Sequence, residues 1–360
     1  MNDRNRKATR SKSVTTQEPG VGTVASIASG LSEVLARPYL LIVPLILDLV
    51  MWLGVQISIK PFTEPFARLM QQDGGANGPD AATEILKLGE HVHLNETAAL
   101  FVPSIFAGLS KENAINWLVS LLAPPLAKGV DREVIFSGVG NGPLSVWTPP
   151  HWFAVLALGA ALFVLATVIL VVFRVPVARV IASRSGSPSE LLREMGWAWI
   201  RLLGLLGLAG VAVMGVFLPI LLVAAVLLLF GVNLAILVAF GLVVIGGMVA
   251  VYTLFVLDAM LLLRIGPISA IQASFSLVRG RFGECFRFAL TCVLIQTGLL
   301  HVWQVLVQNP PGFFIALLAN AFVGTGIAAA TMIFFSDRLR LIGPAKGPHS
   351  HPPIGLPGSH

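Results

Sequence analysis

Charge is the scarcest thing in this sequence. Only 12% of its 360 residues are Asp, Glu, Lys or Arg, half of the ~25% usual in a soluble domain. With 56% hydrophobic residues and a mean hydropathy of +0.84, that deficit excludes a large water-soluble core and implies a chain that crosses a bilayer several times. Cysteine is nearly absent too. Cys285 and Cys292 lie seven apart, on one face of one expected helix, so they cannot pair with each other and read as small apolar packing residues. There is no GxSxG, Walker loop, HExxH or metal-spaced carboxylate cluster. Gly138 to Gly142 is glycine-rich but lacks the strand and helix that a nucleotide-binding loop needs. No enzyme class, cofactor or metal site follows from the motifs. The formal charge of +6 would suggest a nucleic-acid partner in a soluble chain. Here the basic residues gather beside apolar blocks, and no RNA- or DNA-binding motif accompanies them.

The long apolar blocks are what the sequence does have. They predict six spanning helices at about 39–59, 152–173, 200–230, 233–263, 288–307 and 313–335 within a membrane domain of 22–342. The first reads as a retained signal-anchor. Residues 1–21 and 343–360 read as disordered tails. The stretch 202–263 is apolar almost throughout, and Gly231-Val232-Asn233 is its only obvious turn. Charge settles the count. The segments 1–38, 174–201, 264–287 and 337–360 hold 18 of the 24 Lys and Arg, whereas the 60–151 insertion is net acidic. Six spans put all four basic segments on one side, which is the positive-inside pattern with both termini cytoplasmic in a multi-pass inner-membrane protein. The fold class expected is therefore an all-α membrane protein with six transmembrane helices.

Three amphipathic stretches, 22–36, 187–199 and 267–282, each precede a pair of spans and are expected to lie on the cytoplasmic surface. In the third, Ile268, Ile271, Phe275, Val278 and Phe282 share a face, while Ser269, Gln272, Ser276 and Arg279 share another. Ser187-Pro188-Ser189-Glu190 is a capping box that opens the second. Arg37-Pro38 ends the first, because a residue before proline is pushed out of helical geometry. Within the insertion, the apolar patches 98–109 and 114–126 are too short to span. They predict an extracytoplasmic cap of short helices.

One segment resembles a known family. GPISAIQASFSLVRGRFGECF (266–286) is similar to a pattern of bacterial polytopic proteins, through Gly266, Pro267, Ala270, Ser274, Leu277, Val278, Gly280, Phe282 and Phe286. These proteins resemble the membrane domain found beside some glycerophosphodiester phosphodiesterases, together with uncharacterised stand-alone relatives. Phe335, Asp337, Arg338 and Arg340 in FFSDRLRL match the exit of the last span in the same group, and RPYLLIVPLILDL (37–49) fits its opening. The resemblance implies an integral membrane protein without the catalytic barrel, because the chain has no room for one.

Two sets of residues could carry function. Asp48 and Asp258 are the carboxylates inside expected spans, where an ionised group costs about 2.5–3.5 kcal/mol on insertion scales. With Gln296 and Asn320 they would form an intramembrane polar site for a transporter or permease, or else hydrogen-bonded locks between helices. Arg279, Arg281 and Arg287 are candidate contacts for anionic lipid headgroups, or else plain topology signals. His91 and His93 offer two imidazoles without a spacing-fixed third ligand, so no metal is assigned. The leading expectation is a non-catalytic, lipid-interacting or scaffold component of the membrane. The alternative is a permease using Asp48 and Asp258. Membrane lipids are the only partners implied.

Overall fold

The computed structural model describes residues 22–73, 146–229, 235–306 and 310–342, with isolated positions between 79 and 104. Both tails lie outside the described residues. So do His91, His93, the 138–142 glycine run and nearly all of the 98–109 and 114–126 patches.

In lipid, backbone polar groups must be satisfied within a segment, so apolar stretches become helices. In chain order these are α1 (Thr23–Ala36), α2 (Ile42–Leu53), α3 (Lys60–Asp73), α4 (Trp152–Ile181), α5 (Pro188–Leu229), α6 (Ala235–Thr253), α7 (Val256–Leu263), α8 (Pro267–Gly280), α9 (Phe282–Leu306) and α10 (Pro310–Ile342). A 3₁₀ turn, Pro38–Leu41, precedes α2. The only β pairing among the described residues is an isolated bridge between Ile57 and Trp147. Five stretches are long and apolar enough to cross a membrane: Trp152–Ile181, Pro188–Val216, Val244–Leu263, Phe282–Trp303 and Pro311–Arg340. Thr23–Ala36 and Pro38–Leu53 pass only as a pair bent by 98°, which makes six if the pair is one span. This is the architecture of a multi-pass helical membrane protein.

Three elements differ from the sequence expectation. The first span, expected at 39–59, stops at Leu53, where Gly54 turns the backbone extended. The amphipathic stretch at 187–199 and the span expected from 200 form one rod of 42 residues, about 63 Å long. Its start matches the expected cap, with the Glu190 N–H donating to Ser187 Oγ at 3.3 Å. Pro219 lies inside it without ending it. The span expected at 233–263 is broken at Leu254-Phe255. No proline or glycine marks that break. A side chain from another helix supports it instead: Ser274 Oγ donates to the Tyr252 carbonyl at 2.7 Å, and the Tyr252 ring stacks on Phe275 at 4.7 Å.

α10 forms the centre of the bundle. α1 was expected on the membrane surface, but the structure lays it along α10. Ser26, Ile27, Gly30 and Val34 are buried, whereas Val24 is 77% exposed and Leu35 is exposed as well. The contact works because small residues let two backbones approach closely. A Cβ on Gly30 would lie 2.7 Å from the Ala330 nitrogen and 2.9 Å from the Ala330 Cβ. On another side of α10, Phe334 stacks on Phe288 at 4.3 Å and on Phe255 at 5.7 Å, tying α9 and the α6–α7 break to the same helix. α8 turns a mixed face of small and aliphatic residues inward. Ala270, Ser274, Leu277 and Val278 are buried, whereas Ile268 and Phe275 are exposed.

Candidate functional site

Three segments meet at one end of the bundle: the last turn of α4, the first turns of α5 that follow it, and the link from α7 to α8, distant from both in sequence. Two sharp turns bring them there. Ser183 and Arg264 both take left-handed backbone angles, with φ of 50° and 56°. That region costs a non-glycine residue about 1–2 kcal/mol. Arg264 ends α7 at a position where glycine is usual, and its side chain is held by an ion pair. Strain retained by a specific contact is a mark of functional sites.

That contact is with Glu194, which faces three guanidiniums at once. Arg264 Nη2 is 2.9 Å from its carboxylate, Arg184 Nη1 3.2 Å and Arg179 Nε 3.4 Å. Arg179 also approaches Glu190 at 3.9 Å, and Arg184 donates to the Leu262 carbonyl at the end of α7. Burial, followed by the neighbouring Arg264, pulls the Arg184 guanidinium below its ordinary pKa, while Glu194 opposes the shift. Arg193 and Arg201 line the same cleft and have no ion-pair partner among the described residues. Arg193 is exposed and Arg201 half-buried. Trp197 and Ala198 of α5 and Met260 and Leu261 of α7 supply apolar walls, and the cleft measures about 560 Å³.

Five arginines against two glutamates leave this cleft with an excess of positive charge. Guanidiniums present forks of N–H donors matched to phosphate and carboxylate oxygens. Arg201 is the last charged residue of α5, and everything from Leu202 to Leu229 is uncharged. The cleft therefore lies where the charged first turns of α5 give way to its uncharged remainder.

The headgroup contacts expected from sequence, Arg279, Arg281 and Arg287, lie outside this cleft. Arg279 and Arg287 are exposed. Arg281 is committed to Glu284 at 3.2 Å, and Glu284 also holds Arg338 at 2.7 Å. A signal for the cleft existed in Arg193, Trp197 and Arg201, which recur every four residues on one face of α5. Arg179, Arg184 and Arg264 carried no such signal, because only the tertiary turns bring them together.

The four candidate intramembrane residues do not form one site. Asp48 accepts a hydrogen bond from Ser104 and is fully buried. Pro103 packs against Gly324 of α10, where an added Cβ would meet its ring, which carries Ser104 to Asp48. Asp258 is 2% exposed and pairs with Arg174 Nη1 at 3.3 Å, with Thr331 beside it. Gly324, beside the Pro103-Ser104 segment, and Thr331, beside Asp258, are seven residues apart on α10, about 10 Å along its axis. Gln296 is exposed on α9 and Asn320 half-buried on α10. Neither aspartate lines the arginine cleft or the smaller cleft on α3.

No family model matches the chain, and no curated protein or solved structure matches it either.

Proposed function

We propose that this is a non-catalytic, lipid-interacting component of the cytoplasmic membrane that holds anionic headgroups at the mouth of α5. The observation that carries the reading is the arginine cleft. It combines uncompensated guanidiniums with Trp197 and an apolar floor, at the point where α5 becomes apolar. Exposed arginines elsewhere on the inner helices, Arg279 and Arg287 among them, would add diffuse attraction. The pattern at 266–286 supports placement among the stand-alone relatives of the phosphodiesterase membrane domain.

The permease reading has one observation in its favour, because a discontinuous helix such as α6–α7 is common in transporters. The carboxylate at that break is already paired with Arg174, so it is better read as a lock.

The test is lipid co-retention in native mass spectrometry of the detergent-extracted full chain. The Arg193→Gln, Arg201→Gln double variant is expected to retain roughly tenfold less anionic phospholipid than wild type. That loss equals about 1.4 kcal/mol, no more than one charge-assisted hydrogen bond. A lipid profile unchanged by both substitutions would remove the reading.

A further inference from the structure

Resting on that lipid reading, we infer that the cleft at the head of α5 selects phosphomonoester headgroups, which carry up to two negative charges, over phosphodiester headgroups, which carry one.

The argument begins with the cleft's charge. Glu194 is shared among Arg179, Arg184 and Arg264, so one carboxylate neutralises one of three guanidiniums. Glu190, at 3.9 Å from Arg179, partly offsets a second and is itself 54% exposed. Arg193 and Arg201 add two more positive charges to the same lining. The cleft therefore carries a formal charge of about +3 before any ligand arrives. Coulomb energy scales with the product of the two charges, so each positive charge left over rewards the second negative charge of the ligand as much as the first. A phosphomonoester carries about −1.5 to −2 at neutral pH and three strong acceptor oxygens.

Geometry adds a second reason. Arg193 and Arg201 are eight residues apart on one face of α5, about 12 Å along its axis, with Trp197 between them. The buried Met260 and Leu261 form the floor. A floor that excludes water strengthens charge interactions relative to open surface. Sites are thus available on both sides of a small headgroup, and a bulky diester substituent would occupy one of them. A free monoester in water has the same recognition chemistry. The apolar surface of α5 beyond Arg201 favours a ligand that also has acyl chains.

The experiment uses the full chain in phosphatidylcholine nanodiscs doped with phosphatidic acid or phosphatidylglycerol, at about pH 8, where the monoester holds its second charge. Lipid retention is read by native mass spectrometry. Wild type is expected to favour phosphatidic acid over phosphatidylglycerol by roughly tenfold. Arg193→Gln and Arg201→Gln should each lower that ratio severalfold. Glu190→Gln, which raises the cleft charge without touching the Glu194 bridge, should increase it. Glu194→Gln should do the same in protein that still melts cooperatively.

Equal retention of the two anionic lipids, with both still preferred over phosphatidylcholine, overturns the charge selection and leaves the lipid reading standing. No preference over phosphatidylcholine overturns both. Glycerol 3-phosphate is added as a competitor. Displacement of phosphatidic acid at comparable concentration identifies a soluble monoester as the ligand, which keeps the charge selection and removes the lipid reading. Failure to compete keeps both.

Discussion

Valine at position 30 is expected to strip α1 from α10 and to cost about 3 kcal/mol of stability, the upper part of the range for overpacked cores. The reason is the identity of the atoms in the way. A Cβ on Gly30 meets the Ala330 nitrogen, which is main chain and cannot rotate aside, and the Ala330 Cβ. From the opposite direction, a Cβ on Gly326 would sit 3.0 Å from Leu31 Cγ. The two helices touch through backbone, so valine must push them apart along their whole contact. Thermal unfolding in detergent gives the stability change, and cysteine labelling reports the detachment. Ser26 is fully buried in this contact. A Ser26→Cys probe should resist a maleimide in the otherwise native chain and react once Gly30→Val is added. Val24→Cys, at an exposed position, should label in both. A probe at 26 that stays protected, with an unchanged melting temperature, would show that α1 can be held without backbone contact.

The second large effect is expected from Asp258→Asn. Asp258 and Arg174 are 3.3 Å apart, with side-chain exposures of 3% and 22%. Removing one charge from a buried pair leaves the other desolvated and unmatched, which costs about 3–5 kcal/mol. The variant should therefore melt well below wild type. Asp258→Leu with Arg174→Met removes both charges and should recover most of the loss. With the Asp258→Leu and Arg174→Met single variants closing the cycle, the coupling should be at least about 1 kcal/mol. Additive losses in the two single variants would mean that the pair is incidental and that each residue serves some other contact.

The order of the apolar blocks and their charged flanks was open to sequence reading, because hydropathy and arginine placement are local properties. α1 shows where that ends. Its face of Val24, Ile27, Ala28, Leu31, Val34 and Leu35 looks like a helix for a membrane surface. The residues that decide its position are Ser26 and Gly30, whose contribution is the absence of bulk, and a hydrophobicity pattern does not register absence. The α6–α7 break was hidden for a similar reason. Gly246-Gly247 stays helical while Leu254-Phe255 breaks, since what supports the break is a serine twenty residues further on. The candidate site divided the same way. Arg193 and Arg201 could be seen as a stripe, whereas Arg179, Arg184 and Arg264 needed the turns at Ser183 and Arg264. Of Arg279, Arg281 and Arg287, the density of arginine in one stretch did not reveal that Arg281 pairs with Glu284.

The length of α5 has a consequence for which membrane suits the protein. From Leu202 to Leu229 the helix runs without a charged residue for about 42 Å, against a hydrocarbon slab of about 30 Å. The surplus has to be absorbed by leaning the helix or by stretching the surrounding lipid. The arginine cleft at its head limits the first remedy, since leaning α5 would pull Glu194 away from the guanidiniums of α4 and the α7–α8 link. Bilayer thickness and the integrity of the cleft are therefore coupled through one continuous helix, and short-chain lipids should loosen the arginine cluster.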